Sequence, residues 1–248
     1  MLSGPRASIV ICTCDETRMK DLDECIRSLL NQSLHEFEII IVVDHNQRLY
    51  RALSEKYARS SVSVMLNDSS ILGQASSMSW GLKNSRGGIV CFIDDDAIAD
   101  VDWFSRLMSA YDDDTVAAGG RIEPLWIGGR PGYLPEEFYW MIGATGDFLL
   151  DNIGGTRNLW SCNVSYRRTL VDEVGLLSDS VGLGNGSRLF QGEDTEFGVR
   201  LSKITGKGVR YVPEARVYHK IHSNRLRLRW FFKRAYELRG LRVKPSPE

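Results

Sequence analysis

Apolar positions follow two rhythms along this chain. Residues 8–14 and 37–43 are near-solid apolar runs rich in β-branched side chains, and between them Leu22, Cys25, Ile26, Leu29 and Leu30 recur at helical spacing. That pattern reads strand, helix, strand. It continues with Leu49, Ala52, Leu53 and Tyr57 as a second helix, residues 62–66 as a third strand, Ala75, Met78 and Leu82 as a third helix, and residues 89–93 as a fourth strand. Strands that are apolar at every position are buried on both faces. The pattern therefore predicts an α/β fold with a mostly parallel central sheet flanked by helices. In such sheets ligands bind beyond the carboxyl ends of the strands.

Residues 103–111 read as one more helix, and then the alternation stops. Segment 121–160, with its glycines, prolines and aromatic residues, reads as a long irregular binding region containing a short helix at 136–142. Residues 208–212 read as a strand, followed by the stretch 213–218. A helix over 225–241 would gather Leu228, Phe231, Phe232, Ala235 and Leu238 on one side, to dock on the domain, with Arg229, Lys233 and Glu237 opposite. The organisation that follows is a regular α/β half over 1–120, a less regular half over 121–215, and a basic amphipathic tail over 216–248.

Composition is that of an ordinary folded protein, with 43% hydrophobic and 25% charged residues and a net charge of −1. The near-zero total hides an asymmetry. From Arg216 to Lys244 ten Lys or Arg residues face one acid, Glu237, so a basic tail adjoins an acidic body. No apolar run approaches the roughly 20 residues that span a bilayer, and a cytoplasmic location is expected, with the basic tail as the means of peripheral contact with an anionic membrane face. Nucleic acid is not an expected partner, because basic residues without a recognition motif give only nonspecific attraction. Five scattered cysteines suit reduced thiols in the core, and Cys12 and Cys14 would share one face of a strand rather than form half of a zinc site.

Candidate chemistry sits at the strand ends. Asp15 follows the first strand, Asp44 the second, and Asp94, Asp95 and Asp96 the fourth, so all converge on one rim. Taken alone, Asp15 reads as a helix cap or turn former. The triple is different, since three adjacent carboxylates repel one another unless a cation or a hydrogen-bond network compensates. Alternation along an extended backbone aims Asp94 and Asp96 the same way, and carboxylate oxygens so placed suit Mg²⁺ or Mn²⁺.

These elements in order, ASIVICTCDE, FEIIIVVDH, Gly73 with Gly81, VCFIDDDA and GEDTEF, resemble the family 2 glycosyltransferases of the GT-A, or nucleotide-diphospho-sugar transferase, fold. The resemblance implies that Thr13, Asp15, Asp44, Asp94 and Asp95 line the donor site and that Asp94 and Asp96 bind a metal on the diphosphate of a nucleotide sugar, with a UDP-sugar favoured. It implies a catalytic base in the acid pair, Asp194 with Glu193 in reserve, although acids at a helix start are also favoured by the helix dipole alone. It further implies His219 as a late metal or phosphate contact, where residue type alone suggests an ordinary core histidine. The segment GGTRNLWSCN, 154–163, resembles the family's acceptor side. Trp160 there would stack on a sugar, or serve the core, and Asn163 would meet hydroxyls.

Two positions depart from the family pattern: His45 stands where a second acid is common, and Met78 and Ser79 where arginine and asparagine are common. The metal, or a residue of the basic tail, would then neutralise more of the leaving group's charge. Arg167, Arg168 and the tail resemble, more distantly, the branch that extends glycans on polyprenyl or dolichyl phosphates. The expected activity is inverting transfer of a sugar to a hydroxyl of a glycan or lipid-linked acceptor. The alternatives are a sugar nucleotidyltransferase, which normally needs a glycine-rich loop that 12–19 lacks, and a noncatalytic binding module.

Overall fold

The computed structural model describes residues 5–146, 159–177 and 193–238. The apolar runs form the strands β1 (Ala7–Thr13), β2 (Phe37–Asp44), β3 (Val62–Asn67) and β4 (Ile89–Ile93), paired in parallel in the order β3-β2-β1-β4. Between them lie α1 (Met19–Leu30), α2 (Gln47–Tyr57) and α3 (Gln74–Asn84). Pleating divides the buried side chains between two cores. Ile9, Ile11, Ile39 and Ile41 face α1, α2 and the later α4 (Trp103–Ser109), while Val10, Ile40 and Val42 face α3 on the other side. Gly81 is what lets α3 lie so close, since a Cβ there would come within 2.4 Å of Val10 Cγ1.

The second half of the sheet differs from the reading of the sequence. Within 115–160 the chain first makes a twelve-residue strand, β6 (Thr115–Trp126), after a three-residue β5 (Ala97–Ala99). Gly119, Gly120 and Pro124 mask β6 as a strand, yet the glycines are needed because a Cβ on Gly120 would strike the Ala215 carbonyl. Glu136–Ile142 is a short helix, as expected, of the 3-10 type. Asn163–Arg167 forms β7, and the expected strand at 208–212 continues through Pro213 to make β8 (Gly208–Ile221). A register shift between the Gly120/Val212 and Ile122/Val217 pairs accommodates that proline. Among the described residues the eight-stranded order is β3-β2-β1-β4-β7-β6-β8-β5, with β7 antiparallel to β4 and β6, and β5 antiparallel to β8. One sheet thus runs through all three segments of the chain.

The one-turn α5 (Val171–Val174) and the thirteen-residue α6 (Glu193–Thr205) precede β8, and α7 (Leu228–Leu238) follows it. The basic helix is there, but its apolar stripe is divided. Trp230 and Phe231 pack against the core, whereas Leu228 and Phe232 are exposed. No helix among the described residues is long and apolar enough to cross a membrane.

Candidate functional site

The acid run leaves β4 at the centre of the rim. Asp94 and Asp96 point the same way and meet His219, with one ligand atom from each lying within 4.8 Å of the others. The sheet accounts for this meeting of distant residues. β5 starts at Ala97, immediately after Asp96, and pairs with β8 so that Ala97 sits opposite His219. Asp95 turns to the other side, where its carboxylate accepts hydrogen bonds from Thr13 Oγ1 at 2.6 Å and Arg18 Nη1 at 2.8 Å.

Charge decides what this cluster can hold. Asp95 and Asp96 are buried. Arg18 Nη1 lies 3.3 Å from Asp96 Oδ2, and Arg225 Nη2 lies 3.4 Å from the same oxygen. Three carboxylates thus face two guanidinium groups, a deficit of positive charge that burial makes costly. Burial and the neighbouring Asp96 charge push the Asp94 carboxyl up to about 6. Burial acts upward on Asp96 too, but the hydrogen bond with His219, with Arg225 and Arg18, holds it well below the usual carboxylate range. His219 is buried; its Nε2 lies 3.2 Å from Asp96 Oδ1, while Nδ1 has no hydrogen-bond partner. Two carboxylates, an imidazole and a residual negative charge fit a divalent cation such as Mn²⁺ or Mg²⁺.

The β2 end is built differently. Asp44 Oδ1 accepts from Asn67 Nδ2 at 3.0 Å and faces His45 Nδ1 at 2.8 Å, and Asp44 Oδ2 accepts from the Gly73 amide at 3.0 Å. Gly73 has φ +118, a conformation that favours glycine. His45 itself adopts φ +51, and its Nε2 reaches the Ser69 carbonyl at 2.5 Å. Partial burial lowers the His45 pKa, but the hydrogen bonds to Asp44 and Ser69 outweigh this and raise it. Asp15 is exposed and caps a 3-10 turn, accepting from the Thr17 amide at 2.9 Å and Thr17 Oγ1 at 2.7 Å.

Asp194, at the start of α6, is buried and accepts the Ser161 amide at 2.9 Å. Ile93 pairs with Asn163 across β4 and β7, so one residue further Asp94 comes alongside Cys162, whose thiol is raised by burial and by the charges of Asp94 and Asp96. Asp194 is therefore tied to the residue next to the acid cluster's neighbour. Trp160 is half-buried against the core. Asn163 stands in the wall, not in an open cleft: it is buried, accepts from Trp103 Nε1 at 2.8 Å and donates to the Arg121 and Ala215 carbonyls. The candidate acceptor residues 154–158 and the side chain of Glu193 lie outside the described residues.

Sequence pattern did not single out Arg18; from the tail, Arg225 is the residue that lies beside Asp96. No periodic signal marks either arginine; only the excess of acid at the β4 end calls for them. Of the five cysteines, Cys25, Cys91 and Cys162 are buried and all five are free.

Residues 8–175 match the family model for glycosyl transferase family 2. The chain is 30% identical over 233 residues to a glucosyl-dolichyl phosphate glucuronosyltransferase of Haloferax volcanii, covering 93% of this chain and 74% of that protein. It is 31% identical over 159 residues to the succinoglycan biosynthesis protein ExoM of Rhizobium meliloti, covering 62% of this chain and 47% of that one. Among solved structures, a mannosyltransferase from Pyrobaculum calidifontis in complex with GDP-Man and Mn²⁺ superposes with a TM-score of 0.67 at 16% identity, over 99% of this chain and 67% of that one. GalNAc-T7 with UDP, GalNAc and Mn²⁺ gives 0.66 at 18% identity, over 90% of this chain and 45% of that one. The chain thus spans under half the length of ExoM and of GalNAc-T7. These structural likenesses show the GT-A fold, and the family match covers well over half of the sequence: the chain belongs to glycosyl transferase family 2.

Proposed function

We propose that the protein is a metal-dependent inverting glycosyltransferase that moves a sugar from a UDP-sugar to a hydroxyl of a lipid-linked glycan at the cytoplasmic face of a membrane. The observation that carries this reading is the Asp94, Asp96 and His219 cluster, which has the donor chemistry of a divalent-cation site and stands one register step from the segment bonded to Asp194. Asp94, Asp96 and His219 would hold Mn²⁺ or Mg²⁺, which when bound supplies charge to stabilise a departing nucleoside diphosphate. Arg225 adds a cation beside the same ligands and takes the part of the arginine that Met78 and Ser79 do not provide. Asp44 and its Gly73 partner line the nucleoside end, with Thr13 and Asp95 bracing the floor between, and Asp15 at the outer edge.

Asp194 acts as the base, with Glu193 in reserve. Its carboxylate takes the proton from the acceptor hydroxyl as that oxygen attacks the anomeric carbon from the face opposite the diphosphate. The bond from the anomeric carbon to the diphosphate oxygen breaks, the leaving group keeps the electron pair, and the anomeric configuration inverts. Trp160, next in sequence to the Ser161 amide bound by Asp194, would stack on the acceptor sugar. The relative named as acting on glucosyl-dolichyl phosphate supports a lipid-phosphate-linked acceptor, and glucuronosyl donors head the panel to test. Asp194→Asn is expected to lower transfer by about 10²–10⁴-fold while leaving UDP affinity within a factor of about two. Transfer at the wild-type rate by that variant would remove Asp194 from the role.

A further inference from the structure

The fold uses only part of the apolar surface of α7. Trp230 and Phe231 turn towards the core, and Phe231 meets Tyr133 edge-on with ring centres 6.0 Å apart. Leu228, Phe232 and Tyr236 recur every four residues and so fall on one stripe, where they stand 55%, 73% and 59% exposed. Arg229 and Lys233 lie at the next positions round the helix and border the stripe. From 222 to 236 the sequence contains five Lys or Arg residues and no acid.

A second segment adjoins this one. The Tyr133 hydroxyl donates to the Leu226 carbonyl, tying the loop after β6 to the start of α7. That loop and the short helix after it expose Ile127 and Trp140. More than half of the large apolar side chains that stand exposed among the described residues belong to these two segments. Such a concentration marks an interaction surface. A second copy stacked α7 on α7 would bring the same cations against one another. The adjoining segment adds Arg130, paired with Glu136, and Glu137, so the positive charge is concentrated on α7. An anionic lipid surface satisfies both the stripe of α7 and its basic border.

We infer that α7 and the adjoining 127–140 segment form a membrane-docking face, with Phe232 entering the interface of an anionic bilayer and Arg229 and Lys233 meeting headgroup phosphates. This deepens, and rests on, the reading of a lipid-linked acceptor. Arg225, three residues before α7, touches Asp96, so a helix seated on the bilayer holds the acid cluster close to a phosphate-anchored substrate.

The test is co-sedimentation of the full chain with vesicles of phosphatidylcholine alone and of phosphatidylcholine doped with phosphatidylglycerol, alongside calorimetry of UDP with Mn²⁺. The wild type is expected to partition onto the anionic vesicles, to bind neutral ones at least about tenfold more weakly, and to lose binding as salt rises. Phe232→Ser is expected to weaken partitioning by roughly tenfold or more, and the double change Arg229→Glu with Lys233→Glu to abolish the preference for anionic lipid. Both variants should bind UDP as the wild type does. Absence of wild-type partitioning, equal binding to both vesicle types, or a Phe232→Ser variant that partitions unchanged would overturn the docking face. So would concentration-dependent self-association, abolished by Phe232→Ser, in a chain that ignores vesicles. Loss of UDP binding in the wild type would instead strike the donor reading and leave the vesicle result to stand by itself.

Discussion

The β2 and β4 ends present acids to the same rim but settle their charge in opposite ways. At β2, Asp44 is held by two neutral donors, the Asn67 amide and the Gly73 backbone N–H, with His45 as its one titratable partner. At β4, three consecutive acids face Arg18, Arg225 and His219, and negative charge is left over. The first is a hydrogen-bonded pocket suited to reading an uncharged shape. The second is an electrostatic socket suited to a cation and the phosphates that follow it. Position after a parallel strand makes a binding site possible, and the partners of each acid decide what binds.

Substitutions that remove one kind of partner at a time sharpen this contrast. The largest effect is expected at Asp96, the most tightly engaged of the three acids. Asp96→Ala should weaken Mn²⁺-dependent UDP binding by about a hundredfold or more, read by calorimetry. A smaller and more diagnostic effect is expected at Arg225. Because it already lies 3.2 Å from His219 Nε2 and 3.4 Å from Asp96 Oδ2, Arg225→Gln removes a cation that competes with the metal but would assist the diphosphate. Mn²⁺ alone should then bind at least as tightly as to the wild type, while UDP binds about tenfold more weakly in its presence. Parallel weakening of both would show that Arg225 only holds the cluster together.

The smallest effect belongs to the β2 end and carries a pH signature. The His45 pKa is raised on folding, so its protonated form stabilises the native state. That contribution is fully present below the unfolded value near 6.5 and fades as pH rises through the folded value. His45→Gln should therefore cost less than about 1 kcal/mol, measurable as a lowered thermal midpoint on the acid side that converges with the wild type on the alkaline side. A deficit that is constant with pH would mean that the ring's hydrogen bonds to Asp44 and Ser69, not its charge, are what the site requires.

How much of this could be read in the sequence follows the same division. The parallel half was legible because each strand is solidly apolar and each helix carries its own stripe, so local pattern and tertiary burial agree. The common aim of Asp94 and Asp96 was legible from backbone alternation. β6 was not, because the residues that let its neighbours approach, Gly119 beside Leu159 and Asn163 and Gly120 beside Ala215, are those that local propensity counts against a strand. The split stripe of α7 was not either: helical spacing groups apolar positions, but only the neighbours around Phe231 decide which of them the fold buries. Asn163, read as a surface recognition residue, lies in the sheet, where Trp103 Nε1 and two carbonyls occupy its amide. Arg18 and Arg225 joined the site through long-range charge balance, which no local spacing encodes.

Calorimetric titration of UDP and of GDP, each with and without Mn²⁺, into the wild type and Asp96→Ala asks whether the β4 end is a cation-dependent nucleotide site. UDP should give heat with the wild type only when Mn²⁺ is present, and none with Asp96→Ala. Equal binding of UDP without metal, or undiminished binding by Asp96→Ala, would contradict it.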